Sequence, residues 1–164
     1  MGVSPSLLSE LDRMPAELER LVRDVPAEHL RWQPEDSGGA HGETFSALGH
    51  VCHLRDIEAD GYHVRVRRML EEERPSLVSI DGYELARERR YDEADLEDAL
   101  AAFRAARGRT LDTLRKLTDV QLDRAGAFAE YGALTLRALL HYLRSHDQQH
   151  LAGLHWLLGR VASR

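Results

Sequence analysis

His146 and His150 stand four residues apart within Leu139-Leu140-His141-Tyr142-Leu143-Arg144-Ser145-His146-Asp147-Gln148-Gln149-His150-Leu151. Projected as a helix at about 100° per residue, Leu136, Leu139, Leu140, Leu143, Leu154 and Leu157 form one stripe, and both imidazoles fall inside it. An i, i+4 pair stacks its side chains one above the other, so two ring nitrogens can converge on a single metal ion. Two buried neutral imidazoles would otherwise need separate polar partners, whereas one ion satisfies both. Two ligands are too few for a stable site, and the segment carrying His50 and His53 is the source of a third. Periodicity favours His50, which projects between Leu54 and Ile57. His53 projects beside it, toward Asp56 and Asp60, and projection alone does not say which side faces the His146 helix. The other five histidines are unremarkable by position: His29 and His41 fall in loops, and His63, His141 and His155 on polar faces.

Two known metal patterns fail here. A di-iron bundle needs Glu-x-x-His on two helices, and the nearest match is Asp147-Gln-Gln-His150. The run His146-Asp147-Gln-Gln-His150-Leu-Ala-Gly153 imitates a metzincin opening with Asp147 in place of the glutamate base. Its third histidine would stand at 156, which is Trp156, and Leu154, Leu157 and Leu158 continue the helix where that pattern requires a turn.

Arg107 is the other residue out of keeping with its surroundings. It projects between Leu100 and Phe103 on the inward arc of a third helix, where an unpaired guanidinium would cost several kcal/mol. It needs an anion: an acidic side chain such as Asp56 or Asp147, or the carboxylate of a substrate or thiol cofactor in a cavity beside the metal.

Four helices must position these groups. Ser4-Pro5 reads as an N-cap with proline at the first helical position. The stripe Leu7, Leu11, Met14, Leu18, Leu21, Val22 keeps its phase through Pro15, which deprives the Leu11 carbonyl of its helical partner, and Pro26 ends the helix. After a turn at 28–32 and a loop at Gly38-Gly39, a long helix runs from an N-cap at Thr44 to about Glu72. Its apolar residues occupy two arcs, Leu48, Val51, Cys52, Tyr62 and Val66 against Ala47, Leu54, Ile57 and Val64, which predicts packing on two neighbours or on a second subunit. A short helix at 83–89 follows. The third long helix starts after Asp92, with Leu96, Leu100, Phe103, Leu111, Leu114 and Leu117 on its stripe. A turn at 118–122, a loop marked by Gly126 and Gly132, and a helix from Thr135 to about Gly159 complete the chain. The expected core includes Leu18, Leu21, Leu100, Phe103, Leu114, Leu139, Leu143 and Leu154.

The 164 residues suffice for one domain spanning 1–164, with an ordinary 43% hydrophobic and 30% charged content. A net charge of −6 with interleaved signs excludes the basic face that nucleic-acid binding needs. Cys52 is the single cysteine, so no intramolecular disulfide forms. With neither an apolar run of membrane-spanning length nor a signal segment, a cytoplasmic location is expected.

Phe45-Ser46, His53-Leu54-Arg55-Asp56-Ile57-Glu58, the His146-Asp147-Gln-Gln-His150 pair and Leu30-Arg31-Trp32-x-Pro34 together resemble the DinB/YfiT-like superfamily along essentially the whole chain. The resemblance implies an all-α four-helix bundle of up-down-down-up topology, often a homodimer, in which His53, His146 and His150 hold a divalent metal. That leaves His50 as a reserve ligand or a hydrogen-bond donor behind the ligands, and His50 and Arg107 as the candidates for contacting substrate. The family includes metal- and thiol-dependent transferases and isomerases, such as bacillithiol and mycothiol transferases. The expectation is therefore a zinc or nickel site acting on a small molecule as a transferase or hydrolase, with a low-molecular-weight thiol as a further cofactor. Three neutral ligands leave the ion its full charge and an open position, which acidifies a bound water or thiol. The alternative is a non-catalytic dimeric bundle with a structural or vestigial metal site.

Overall fold

The computed structural model describes residues 2–35, 44–129 and 131–163. The expected Gly38-Gly39 loop and His41 lie outside them. Helix α1, Pro5–Arg23, begins as expected: Ser4 is its N-cap and accepts from the Leu7 N–H at 3.2 Å, and Pro15 sits inside it. The second long helix differs from its projection. It is α2, Ala47–Asp56, then a π-helical turn, Ile57–Tyr62, then α3, His63–Glu71, and its cap is Ser46 instead of Thr44. An i→i+5 turn holds one more residue than an α turn, so everything beyond it is rotated relative to a uniform projection. That rotation accounts for part of the apparent two-sidedness. Leu48, Val51, Cys52, Tyr62 and Val66 of one arc and Ala47, Leu54 and Ile57 of the other are buried within this chain, and Val64 of the second arc is half-buried.

Helix α4, Gly82–Glu88, lies in the connection to α5, Leu96–Leu114, whose N-cap is Asp95 because Tyr91–Glu93 form a separate 3-10 turn. The short α6, Asp119–Leu122, is closed by a capping box between Thr118 and Gln121. Helix α7, Leu136–Ala162, is capped by Thr135 and runs through Gly153 without the turn a metzincin would show.

The loop expected around Gly126 and Gly132 is a hairpin, β2, Ala125–Phe128, and β3, Gly132–Thr135; β1, Ser76–Leu77, pairs parallel with β2 to give a sheet of order β1-β2-β3. Alanine and glycine carry little strand propensity, so these segments have no strand signature. Gly126 lets β2 approach α3 closely, since a Cβ there would stand 2.5 Å from the Met69 sulfur and 3.1 Å from the Pro75 carbonyl oxygen.

Two apolar clusters fix the topology. Leu7 and Leu11, from the first half of α1, share one with Leu136, Leu139, Leu140 and Leu143 of early α7, Leu111 and Leu114 of late α5, and Val66 and Met69 of α3. Met14, Leu18 and Leu21 share the other with Leu154 and Leu157, with Leu100 and Phe103, and with Leu48 and Val51. Thus α1 and α7 run one way, and α2–α3 and α5 the other: an up-down-down-up four-helix bundle. All eight expected core residues are buried. Since α2–α3 and α5 are parallel, the chain between them must return along the bundle, and Arg65 Nη2 to the Val78 carbonyl at 2.9 Å and Tyr91 to Asp56 at 2.8 Å pin it there. No helix among the described residues is long and apolar enough to cross a membrane.

Candidate metal centre

Polar groups lie buried between the two apolar clusters: His50, His53, Asp56, Glu58, Arg107, Thr110, Asp147 and His150. His53 approaches from α2 near the π-helical turn, and His146 and His150 from successive turns of α7. Nε2 of His146 is 3.1 Å from Nε2 of His150 and 3.3 Å from Nε2 of His53, and one ligand atom from each residue lies within 4.8 Å of the other two. Nitrogens about 2.0–2.1 Å from a common ion are separated by roughly 3 Å at right angles and roughly 3.4 Å at tetrahedral angles, and both contacts fall in that interval. The donor set is nitrogen only, which suits a divalent transition metal better than calcium or magnesium.

Burial keeps these imidazoles in the form a metal requires. It pushes His53 down to about 3, with His146 adding to the effect, and His146 down to about 4, with Arg107 and Arg65 adding to it; His150 is held well below the usual range by burial and then by its histidine neighbours. His50 is pushed down to about 3 by burial and by His53. His50 and His53 differ in geometry. His53 joins the convergent set, and His50 meets His150 from behind, Nδ1 to Nδ1 at 2.8 Å. Phe45 covers both, its ring centroid 5.0 Å from that of His53 and 5.8 Å from that of His50.

A cavity of about 260 Å³ opens on the centre, lined by His53, Ile57, Tyr62, Arg65, Ser79, Ile80, Phe128, Tyr131, His146 and Gln149. Neither Arg107 nor His50 lines it. Arg107 is 1% exposed, and its guanidinium forms a two-pronged bond with Asp147, Nη1 and Nη2 each at 2.8 Å. Nη2 also lies 2.9 Å from Glu58, and Nη1 donates to the Leu11 carbonyl at 3.1 Å. Burial opposes its charge, but Asp147 and Glu58 together outweigh that and raise its pKa. The expectation that Arg107 receives a substrate carboxylate is thus corrected: the fork is already filled by the protein's own acids, one of them the expected Asp147. Glu58 was missed because it sits on the π-helical turn, where a uniform projection misplaces it. Asp56, the other acid considered for Arg107, instead accepts from Arg55 at 2.7 Å and from the Tyr91 hydroxyl at 2.8 Å. Of the remaining histidines, His141 and His155 are exposed, as their polar faces predict.

Comparison with known proteins agrees with this geometry. Among solved structures, the chain is similar to YfiT from Bacillus subtilis, described as "a probable metal-dependent hydrolase with an unusual four-helix bundle topology", with a TM-score of 0.80 and 27% identity over 96% of this chain and 86% of that one. Nothing among the curated proteins matches. Residues 10–154 match the DinB superfamily model, and with that match over most of its length, the chain belongs to the DinB superfamily.

Proposed function

We propose that His53, His146 and His150 bind one divalent transition ion, zinc or nickel, and that the centre activates water for hydrolysis of a small molecule seated in the adjoining cavity. The observation that carries this reading is the convergence of ring nitrogens from buried His53, half-buried His146 and buried His150, with His53 and His146 in the wall of a cavity. When bound, such an ion lowers the pKa of a coordinated water or thiol and polarises an electrophile. The chain's own residues supply the rest. Three neutral rings leave the positive charge undiminished, while Tyr62, held protonated by burial, and Gln149 offer hydrogen bonds from the cavity wall. Ile57, Ile80 and Phe128 give the same space an apolar side.

A second reading, thiol transfer, draws on one observation. Cys52 is buried, and burial pushes its thiol up to about 11, so any thiol nucleophile comes from a low-molecular-weight co-substrate. Elemental analysis of purified protein beside the His146→Ala variant tests the centre. About one ion per chain, lost in the variant, is expected; undiminished metal in His146→Ala would sink the assignment. Turnover of ester or amide panels with and without added thiol then separates hydrolysis from transfer.

A further inference from the structure

His50 lies behind the ligand set. Its Nδ1 meets Nδ1 of His150 at 2.8 Å, while Nε2 of His150 faces His146 at 3.1 Å on the other side of the ring. Two N–H groups cannot face each other at that distance, so one nitrogen donates and the other accepts. If His50 donates, His150 must carry its own proton on Nε2, inside the three-nitrogen cluster, where it blocks a metal. If His150 donates, its Nε2 lone pair points into the cluster, and His50 carries its proton on Nε2.

We infer that His50 is the positioning residue of the centre: it accepts the Nδ1–H of His150 and so fixes the tautomer and ring orientation that present Nε2 to a metal. The packing of His50 supports a built role. A Cβ at Gly153, three residues beyond His150 on α7, would stand 3.0 Å from Cε1 of His50 and 3.3 Å from its Nε2, so the ring packs closely on the glycine backbone. Phe45 closes on the same ring nearly edge-on, at 87°. Metal-binding histidines usually give their second N–H to a carboxylate or carbonyl, and removing that partner weakens metal binding about 10- to 100-fold. An imidazole acceptor does the same work without adding a negative charge beside the ion.

This inference rests on the metal reading above, and two measurements keep them apart. In metal-free wild-type protein labelled with ¹⁵N-histidine, long-range ¹H–¹⁵N correlations report which nitrogen of each ring is protonated. His150 protonated on Nδ1 is the expected result, and protonation on Nε2 overturns the inference whether or not metal binds. In competition with a chromophoric chelator, His50→Ala should bind zinc about 10- to 100-fold more weakly than wild type. His50→Asn, whose side-chain oxygen stands where Nδ1 stood, should recover most of the loss. Affinity of folded His50→Ala within about twofold of wild type would overturn the inference. If that variant does not fold, Gly153→Ala, which crowds the His50 ring without removing it, takes its place with the same expected direction and a smaller loss. A wild type that binds no zinc overturns the metal reading and the positioning role with it, whereas bound zinc with the other tautomer or with unchanged affinity in His50→Ala overturns the positioning role alone.

Discussion

Arg107 donates from Nη1 to the carbonyl oxygen of Leu11 at 3.1 Å, and Leu11 is the residue whose helical partner Pro15 removes. A proline inside a helix leaves the carbonyl four residues earlier without its N–H, and a buried carbonyl must find another donor. Here a side chain from α5 supplies it and, with its other contacts, draws Asp147 and Glu58 into the same buried layer. The proline in one helix and the buried charge in another are two halves of one arrangement.

Removing that charge should therefore be severe. Arg107→Met leaves two acids and a carbonyl buried without their cation, and a loss of ~3–5 kcal/mol is expected in urea unfolding, as when one partner of a buried ion pair is deleted. Arg107→Lys should also destabilise, because an ammonium cannot reproduce the two-pronged bond to Asp147. A loss below ~1 kcal/mol in Arg107→Met would mean that the layer is not held by this residue.

Acid should weaken the metal-free protein before its carboxylates titrate. His50, His53 and His146 stay neutral in the folded chain down to about 3, 3 and 4, and His150 is likewise depressed. In the unfolded chain all four protonate near pH 6.5. Below that value the unfolded state binds more protons, so the histidines' contribution to stability is complete above about 6.5 and is lost progressively toward pH 4. Thermal unfolding of chelator-treated protein between pH 7.5 and 5 should show a falling Tm; a flat profile would contradict the burial of these rings.

Tyr91→Phe should loosen the return segment without unfolding the bundle. The Tyr91 hydroxyl donates to Asp56 at 2.8 Å, and Asp56 keeps Arg55 at 2.7 Å and Arg89 at 3.0 Å when it is lost. A cost of ~0.5–1.5 kcal/mol follows from one hydrogen bond whose acceptor retains other partners. Hydrogen exchange should rise in residues 82–93 and stay unchanged in α1; protection lost equally everywhere would show that the segment is not separately anchored.

Leu143→Ala should cost ~2–5 kcal/mol, because the side chain is buried where α7 faces α1 and a cavity would remain. Val120→Ser, at a residue 82% exposed, should change stability by no more than ~0.5 kcal/mol.

The helices and core were legible because leucines repeat at helical spacing in α1, α5 and α7, and proline or a capping residue marks most ends. The metal set was legible in part. The i, i+4 spacing of His146 and His150 is a local signal, whereas the choice of His53 depends on how α2 is rotated about its axis, a tertiary fact that only family resemblance could supply. The π-helical turn, with Glu58 on it, leaves no such mark, since one extra residue in a turn alters geometry without altering composition. The small sheet was hidden for the opposite reason. Its strands are short and rich in alanine and glycine, and are held by what packs on them: Met69 against Gly126, and the Pro75 carbonyl receiving the Ala127 N–H at 2.9 Å.

The parallel arrangement of α2–α3 and α5 obliges the chain to travel back along the bundle, and that return places Ser79 and Ile80 in the wall of the cavity beside the histidines. Ligands and wall are thus under separate control. The three histidines ride on long helices locked by the core, while this part of the wall belongs to a connecting segment whose sequence can drift without moving a nitrogen. A lineage could change what the cavity admits by editing residues 78–80, with the buried Leu77 kept in place, so exchanging those residues between relatives should shift ligand preference and leave metal content as it was.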